Sequence, residues 1–255
     1  MTKRNTQQRR RSILERLNEL GEVSVELLAA TFETSEVTIR KDLAALEANG
    51  LLLRRYGGAV PMPQELIAAN SDAPSPVKAA IAQAAAQLIN DHNRIILDSG
   101  SSTTAALLPE LSTKQGLVVM TNSLNIANAL RELENEPTIL MTGGTWDPKS
   151  EGFQGQLAEQ MLHAYNFDQF FIGADGLDLT RGTTTFNELF SLSRVMAEVA
   201  RDVIVLAESE KISRKIPNLE LSWEKITVLV TDNKISPEDK RKIEQHNVRV
   251  ICADL

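Results

Sequence analysis

Two stretches of this 255-residue chain gather side chains able to do chemistry. The first is Ser35-Glu36-Val37-Thr38-Ile39-Arg40-Lys41, where two cations and two hydroxyls stand close together. Arg40 and Lys41 can donate to guanine edges or to phosphates, and Ser35 and Thr38 offer short hydroxyls. Glu36 can accept from cytosine or repel a wrong sequence, whereas Asp42 reads as an internal partner for a basic side chain. The second stretch is Asp98-Ser99-Gly100-Ser101-Ser102-Thr103-Thr104. Its small residues let backbone N–H groups approach an anion, and its hydroxyls add donors. It has neither Walker A nor dinucleotide-fingerprint spacing.

Four further polar loops follow apolar runs: Thr121-Asn122-Ser123, Gly143-Gly144, Gly173-Ala174-Asp175-Gly176 with the later Asn187-Glu188, and Glu208-Ser209-Glu210-Lys211. The expected ligand is small and either anionic or rich in hydroxyls. Lys211 would neutralise a phosphate and Asp98 or Asp175 would accept from hydroxyls, with Glu188 a further effector-site residue that, like Asp175, could support residual chemistry. No His/Cys/Asp cluster has metal-ligand spacing. His92, His163 and His246 fall on expected helices or at their ends, away from these loops, and the single cysteine, Cys252, reads as a small buried residue.

Ile13, Leu14, Leu17 and Leu20 repeat at helical spacing up to Gly21. Val25, Leu28, Ala29 and Phe32 mark a second helix begun by Ser24. A third, capped by Ser35, carries Ile39, Leu43 and Leu46 inward and stops at Asn49-Gly50. Leu51–Tyr56 and Ala59-Val60 flank Gly57-Gly58 as a hairpin, on which Arg54 and Arg55 would lie over a nucleic-acid backbone. Three short helices and a hairpin make a winged helix-turn-helix over residues 1–60. Pro61, Pro63, Pro74 and Pro76 then crowd into residues 61–76, an expected linker.

From residue 77 onward, strands are expected at Arg94–Asp98, Leu117–Thr121, Thr138–Met141, Phe170–Gly173, Asp202–Ala207, Thr227–Thr231 and Val248–Ile251. They alternate with helices, including an alanine-rich one at residues 79–86 and another at Ala105–Leu111. That order implies an α/β domain over residues 77–255, built on a mostly parallel sheet. Ligands bind such sheets beyond the carboxyl ends of the strands, where the polar loops fall.

The net charge is −7, but it divides unevenly. Residues 1–60 hold ten Lys/Arg against eight Asp/Glu; the remainder holds 17 against 26. One end is therefore suited to an anionic partner. The longest apolar run is Val203–Ala207, far short of the roughly 20 residues of a membrane helix. No secretory signal is read at the start, so a cytoplasmic protein with no membrane partner is expected.

Arg9-x3-Ile13-x3-Leu17, followed by Ser35-Glu36-Val37-Thr38-Ile39-Arg40-Lys41-Asp42-Leu43 and by Arg54-Arg55-Tyr56-Gly57-Gly58-Ala59, resembles the DeoR family of bacterial repressors. The later loops resemble that family's effector domain, itself similar to ribose-phosphate isomerases and glucosamine-phosphate deaminases. The segment Phe167–Glu188 looks closest to the glucitol-operon members. The resemblance implies a homo-oligomeric repressor that leaves double-stranded operator DNA when a phosphorylated sugar or sugar alcohol binds, with no cofactor. The competing expectation is an isomerase fused to a DNA-binding module. Related isomerases carry an acid after the Gly-Ala-Asp turn, where this chain has Gly176, so catalysis is expected to be lost.

Overall fold

Alternating apolar runs and amphipathic stretches fold, in the computed structural model, into two compact units, Met1–Asp72 and Ala73–Leu255. The structure describes residues 9–10, 12–14, 16–17, 20–48, 52–61, 75–148, 150–187, 190–214 and 216–254.

In the first unit, helix α1 is described at residues 9–10, 12–14, 16–17 and 20. Strand β1 (Val23–Ser24), α2 (Val25–Thr31), α3 (Glu36–Ala48), β2 (Leu52–Arg55) and β3 (Gly58–Pro61) follow. Ser24 starts α2 as expected, its Oγ accepting from Leu27 N–H at 3.1 Å. Ser35 caps α3 in the same way, accepting from Thr38 N–H at 3.2 Å. Ile13, Leu17, Leu28, Ile39, Leu43 and Leu52 close a small core, while Leu20 stays exposed instead of joining it. The expected stop at Asn49-Gly50 lies outside the described residues.

The wing turn differs from expectation by one residue. Tyr56-Gly57 makes the turn, with Gly57 at φ +77°, and Gly58 already belongs to β3. Gly58 pairs with Ser24 of β1, and any Cβ there would run into the Val23 carbonyl. Close approach of a third strand, rather than the turn, therefore demands this glycine.

The second unit begins with α4 (Pro76–Ala86), whose Pro76 takes the first helical position after the Ser75 cap. Pro61 ends β3, and the expected linker residues between 62 and 74 lie outside the described ones. The strands are β4 (Arg94–Leu97), β5 (Val118–Thr121), β6 (Thr138–Met141), β9 (Phe167–Gly173), β12 (Ala200–Leu206), β14 (Val228–Asp232) and β15 (Arg249–Ala253). They form one parallel sheet in the order β15-β14-β12-β9-β4-β5-β6.

Both faces are covered, which explains the continuous apolar runs. Ile96, Phe170, Ile172 and Val205 pack on one side with α7 (Gln156–His163), α8 (Ser191–Glu198) and α9 (Pro237–Glu244). Ile95, Leu97, Phe171 and Ile204 pack on the other with α4 and α6 (Leu124–Arg131). The expected helix Ala105–Leu111 is instead a short α5 (Ser102–Ala105) and a 3-10 turn (Leu108–Thr113). Pro109, without an N–H and with a bulky ring, stops an α-helix from running through.

Two additions at the carboxyl edge were not expected. One is the hairpin β7 (Thr145–Asp147) and β8 (Gly152–Gln154); the other is the antiparallel sheet of β10 (Gly176–Asp178), β11 (Gly182–Thr185) and β13 (Asn218–Ser222). Among the described residues no helix is long and apolar enough to cross a membrane.

Candidate functional site

The chain leaves β4 to build β5 and β6 on one side, then returns to place β9 on the other. The carboxyl ends of β4 and β9 thus flank the topological switch point, where open α/β sheets leave a crevice. The loop Asp98–Thr104 follows β4, and Gly173-Ala174-Asp175 ends and follows β9. They meet closely: a Cβ on Gly173 would collide with Ser101 Oγ.

Within the first loop, Gly100 takes φ +77° and Ser101 Oγ accepts from Thr104 N–H at 3.2 Å. Among the described residues no acceptor meets the N–H groups of Gly100, Ser101, Ser102 and Thr103. Thr103 and Thr104 are buried, and among the described residues neither Oγ1 has a hydrogen-bond partner. Thr184 Oγ1 on β11 is in the same condition. A buried hydroxyl without a partner costs about 1–3 kcal/mol, so these donors are poised for something that supplies an acceptor.

Asn122 holds the loop in shape. Its Oδ1 accepts from Ser99 N–H at 2.9 Å, and its Nδ2 donates to Ser99 Oγ at 3.0 Å. Its backbone carbonyl accepts from Phe153 N–H at 2.7 Å, tying the β7–β8 hairpin to the same corner. Thr121 Oγ1 accepts from Ser123 N–H, and Ser123 Oγ caps α6. These three expected ligand residues are thus engaged in building the edge. Gly143, at φ +64°, turns the chain between β6 and β7, and a Cβ there would meet only open space.

Asp175 Oδ2 accepts from Thr185 Oγ1 at 2.9 Å and from Phe186 N–H at 3.0 Å. Lys211 is buried and its Nζ donates to the Ala174 carbonyl at 2.8 Å, which brings it to the β9 loop. Glu188 lies outside the described residues. Burial pushes the Asp98 carboxyl up to about 7, against the opposing pull of Ser99 N–H and the Asn122 side chain.

Two buried charged residues of the second unit escaped the sequence reading. Glu220 on β13 is buried, with Ser193 Oγ donating to its Oε1 at 2.9 Å. Burial, with the negative charges of Asp98 and Asp175 nearby, pushes it up to about 8. Lys78 is buried in the first turn of α4, and its ammonium makes no hydrogen bond or ion pair among the described residues. A lysine this buried is rare enough to have flagged it, but one sequence does not reveal burial in an alanine-rich helix.

The outer face of α3 carries the other chemistry. Arg40 and Glu36 are exposed and paired at 2.7 Å across one turn. The Ser35 and Thr38 hydroxyls are hydrogen-bonded to each other at 2.9 Å. Lys41 is exposed and unpaired among the described residues. On the wing, Arg54 lies 3.8 Å from Glu47, Arg55 pairs with Glu22, and Tyr56 at the tip is fully exposed. Asp42 is the internal partner expected of it, buried and held by Arg9 and Arg10.

Residues 9–65 match the DeoR-like helix-turn-helix domain, and residues 75–233 match the DeoR C-terminal sensor domain. A protein named for transcriptional repression of the aga operon in Escherichia coli O157:H7 is 38% identical, over 96% of this chain and 93% of its own length. The transcriptional regulator GlpR of Haloferax volcanii is 32% identical, over 96% of each. An L-fucose operon activator of Haemophilus influenzae is 30% identical, over 94% of this chain and 97% of its own. Ribose 5-phosphate isomerase A of Methanocaldococcus jannaschii superposes with a TM-score of 0.39 at 19% identity, over 53% of each chain. With a DNA-reading unit and a sensor unit both matched, and relatives aligned along nearly its whole length, the chain belongs to the DeoR family of transcriptional regulators.

Proposed function

We propose that the protein represses a carbohydrate-utilisation operon and leaves its operator when a phosphorylated sugar or sugar alcohol occupies the β4–β9 edge. The observation that carries the effector half is the pair of buried, unpartnered hydroxyls on Thr103 and Thr104 beside backbone N–H groups without acceptors. A phosphate there would supply the missing acceptors. Lys78 and Lys211 provide buried positive charge in the same unit, while Asp98 and Asp175 suit sugar hydroxyls. The names of relatives tied to the aga and L-fucose operons support a sugar as the signal.

On the DNA side, Arg40 and Lys41 would reach base edges or phosphates from α3, with Ser35, Glu36 and Thr38 beside them. Arg54 and Arg55 would follow the backbone from the wing. A single such unit covers one half-site, so the working species is a homo-oligomer that pairs two of them, acting on chromosomal DNA in the cytoplasm.

One observation favours a second reading, sugar-phosphate isomerisation: Asp98 and Glu220 are carboxyls that titrate near neutrality. Against it stands Gly176. A Cβ there would lie 2.7 Å from Thr184 Oγ1 and 2.8 Å from Ile216, so an acidic side chain after Asp175 would force these neighbours to move. The test is a thermal-shift screen against sugar phosphates, followed by operator titration and a turnover assay with every binder. Binding that loosens the operator without turnover supports repression; turnover supports the enzyme.

A further inference from the structure

Val37, in the first turn of α3, is 59% exposed. At about 100° per residue it falls nearly opposite the mean direction of Ile39, Asp42, Leu43 and Leu46, all of which are buried. It therefore stands at the middle of the helix's outer face, with Arg40 on one side and Lys41 on the other. The neighbouring groups on this face are polar: Glu36 and Arg40 form an ion pair, and Ser35 and Thr38 share a hydrogen bond. A β-branched side chain in water is a poorer helix former than alanine, so Val37 does nothing for α3 that alanine would not do better.

We propose that Val37 is a specificity-determining residue that packs against the 5-methyl group of a thymine in the major groove. Flanking cations bring the face to an anionic partner, and the first turn of a recognition helix is the part that reaches base edges. Thymine is the base that offers a methyl group there. Arg40 and Lys41 would supply affinity, and Val37 would choose a T·A pair at its own position. The inference rests on the DNA-binding reading of α3.

The test uses a double-stranded site selected from random DNA by the full-length protein, with each thymine replaced in turn by deoxyuracil, which removes only the methyl. For the parent, one position is expected to weaken binding about fourfold per lost methyl, the equivalent of ~0.8 kcal/mol for burying that carbon. Val37→Ala should lose a similar factor on the thymine site and nothing more on the deoxyuracil site. Val37→Thr, which keeps the branched shape, should fall between them. Indifference of the parent to every deoxyuracil replacement would overturn the proposal, as would an equal response of the parent and Val37→Ala at each position. If the parent selects no site at all, the DNA-binding reading fails first and the inference goes with it.

Discussion

Arg9 donates from Nε to Asp42 Oδ2 at 2.6 Å, linking α1 to α3 across 33 positions with both side chains buried. Arg10 Nε adds a second bond to the other carboxylate oxygen at 2.8 Å. The recognition helix is thus fixed by charge as well as by Ile39 and Leu43. Removing one partner of a buried pair costs about 3–5 kcal/mol because the other charge is stranded. Asp42→Ala should lower the stability of the helix-turn-helix unit by about that amount, read as an earlier unfolding transition in denaturant. An unchanged transition would mean that the ion pair contributes nothing to the fold.

Glu36 and Arg40 hold each other on the exposed face, where such pairs are worth about 0.3–0.5 kcal/mol. Glu36→Gln should therefore leave stability almost unchanged. It should also free Arg40 and strengthen binding to random-sequence DNA, with the salt dependence steepened by about one phosphate contact. Salt titration of non-specific binding checks this, and a flatter slope would contradict it.

Asp98 and Glu220 titrate well above their ordinary values of 3.8 and 4.5. From about pH 4 to pH 8 the folded chain keeps protons that the unfolded chain has released, so this contribution to stability is complete at low pH and lost as pH rises. Glu220→Gln keeps an oxygen for the Ser193 hydroxyl and removes one titrating group. Its melting temperature should fall less than the parent's between about pH 5 and pH 8. Parallel profiles would show that the buried carboxyl is not the source.

Gly176 has the side chains of Thr184, Ile216 and Arg214 packed where a Cβ would go. Gly176→Ala should destabilise the sensor unit by about 1–3 kcal/mol, the usual cost of overpacking. Gly176→Asp should cost more and yield no isomerase activity. A stable, active Gly176→Asp protein would reopen the enzymatic reading.

Much of this was legible in the sequence, for particular reasons. The central strands of the sheet are buried on both faces, so runs such as Val203–Leu206 announce themselves. The Asp98–Thr104 loop showed through its small polar residues placed directly after such a run. Arg9, Ile13 and Leu17, which carry part of the family resemblance, turn out to be residues of the fold: an ion-pair partner and two core side chains. What stayed hidden depends on contacts through space. Strands β7, β8 and β10 are three residues each, too short to show a period. Nothing in Leu219-Glu220-Leu221 marks the acid as buried, and its partner Ser193 lies 27 positions away in the chain. The acids that hold Arg54 and Arg55 come from other elements and leave no mark beside them in the sequence.

The central claim, that occupation of the β4–β9 edge releases the operator, is tested most directly by titrating the operator with the parent and with Thr104→Val, each with and without a sugar phosphate found by thermal shift. Thr104 Oγ1 is buried without a partner among the described residues, so valine should leave the ligand-free fold as stable or slightly more so. Operator affinity without effector should equal the parent's. Effector should weaken the parent's operator binding about 5–150-fold, the usual range of such coupling, and the valine variant should need far more effector for the same release. Equal release of parent and variant at the same effector concentration would contradict the account.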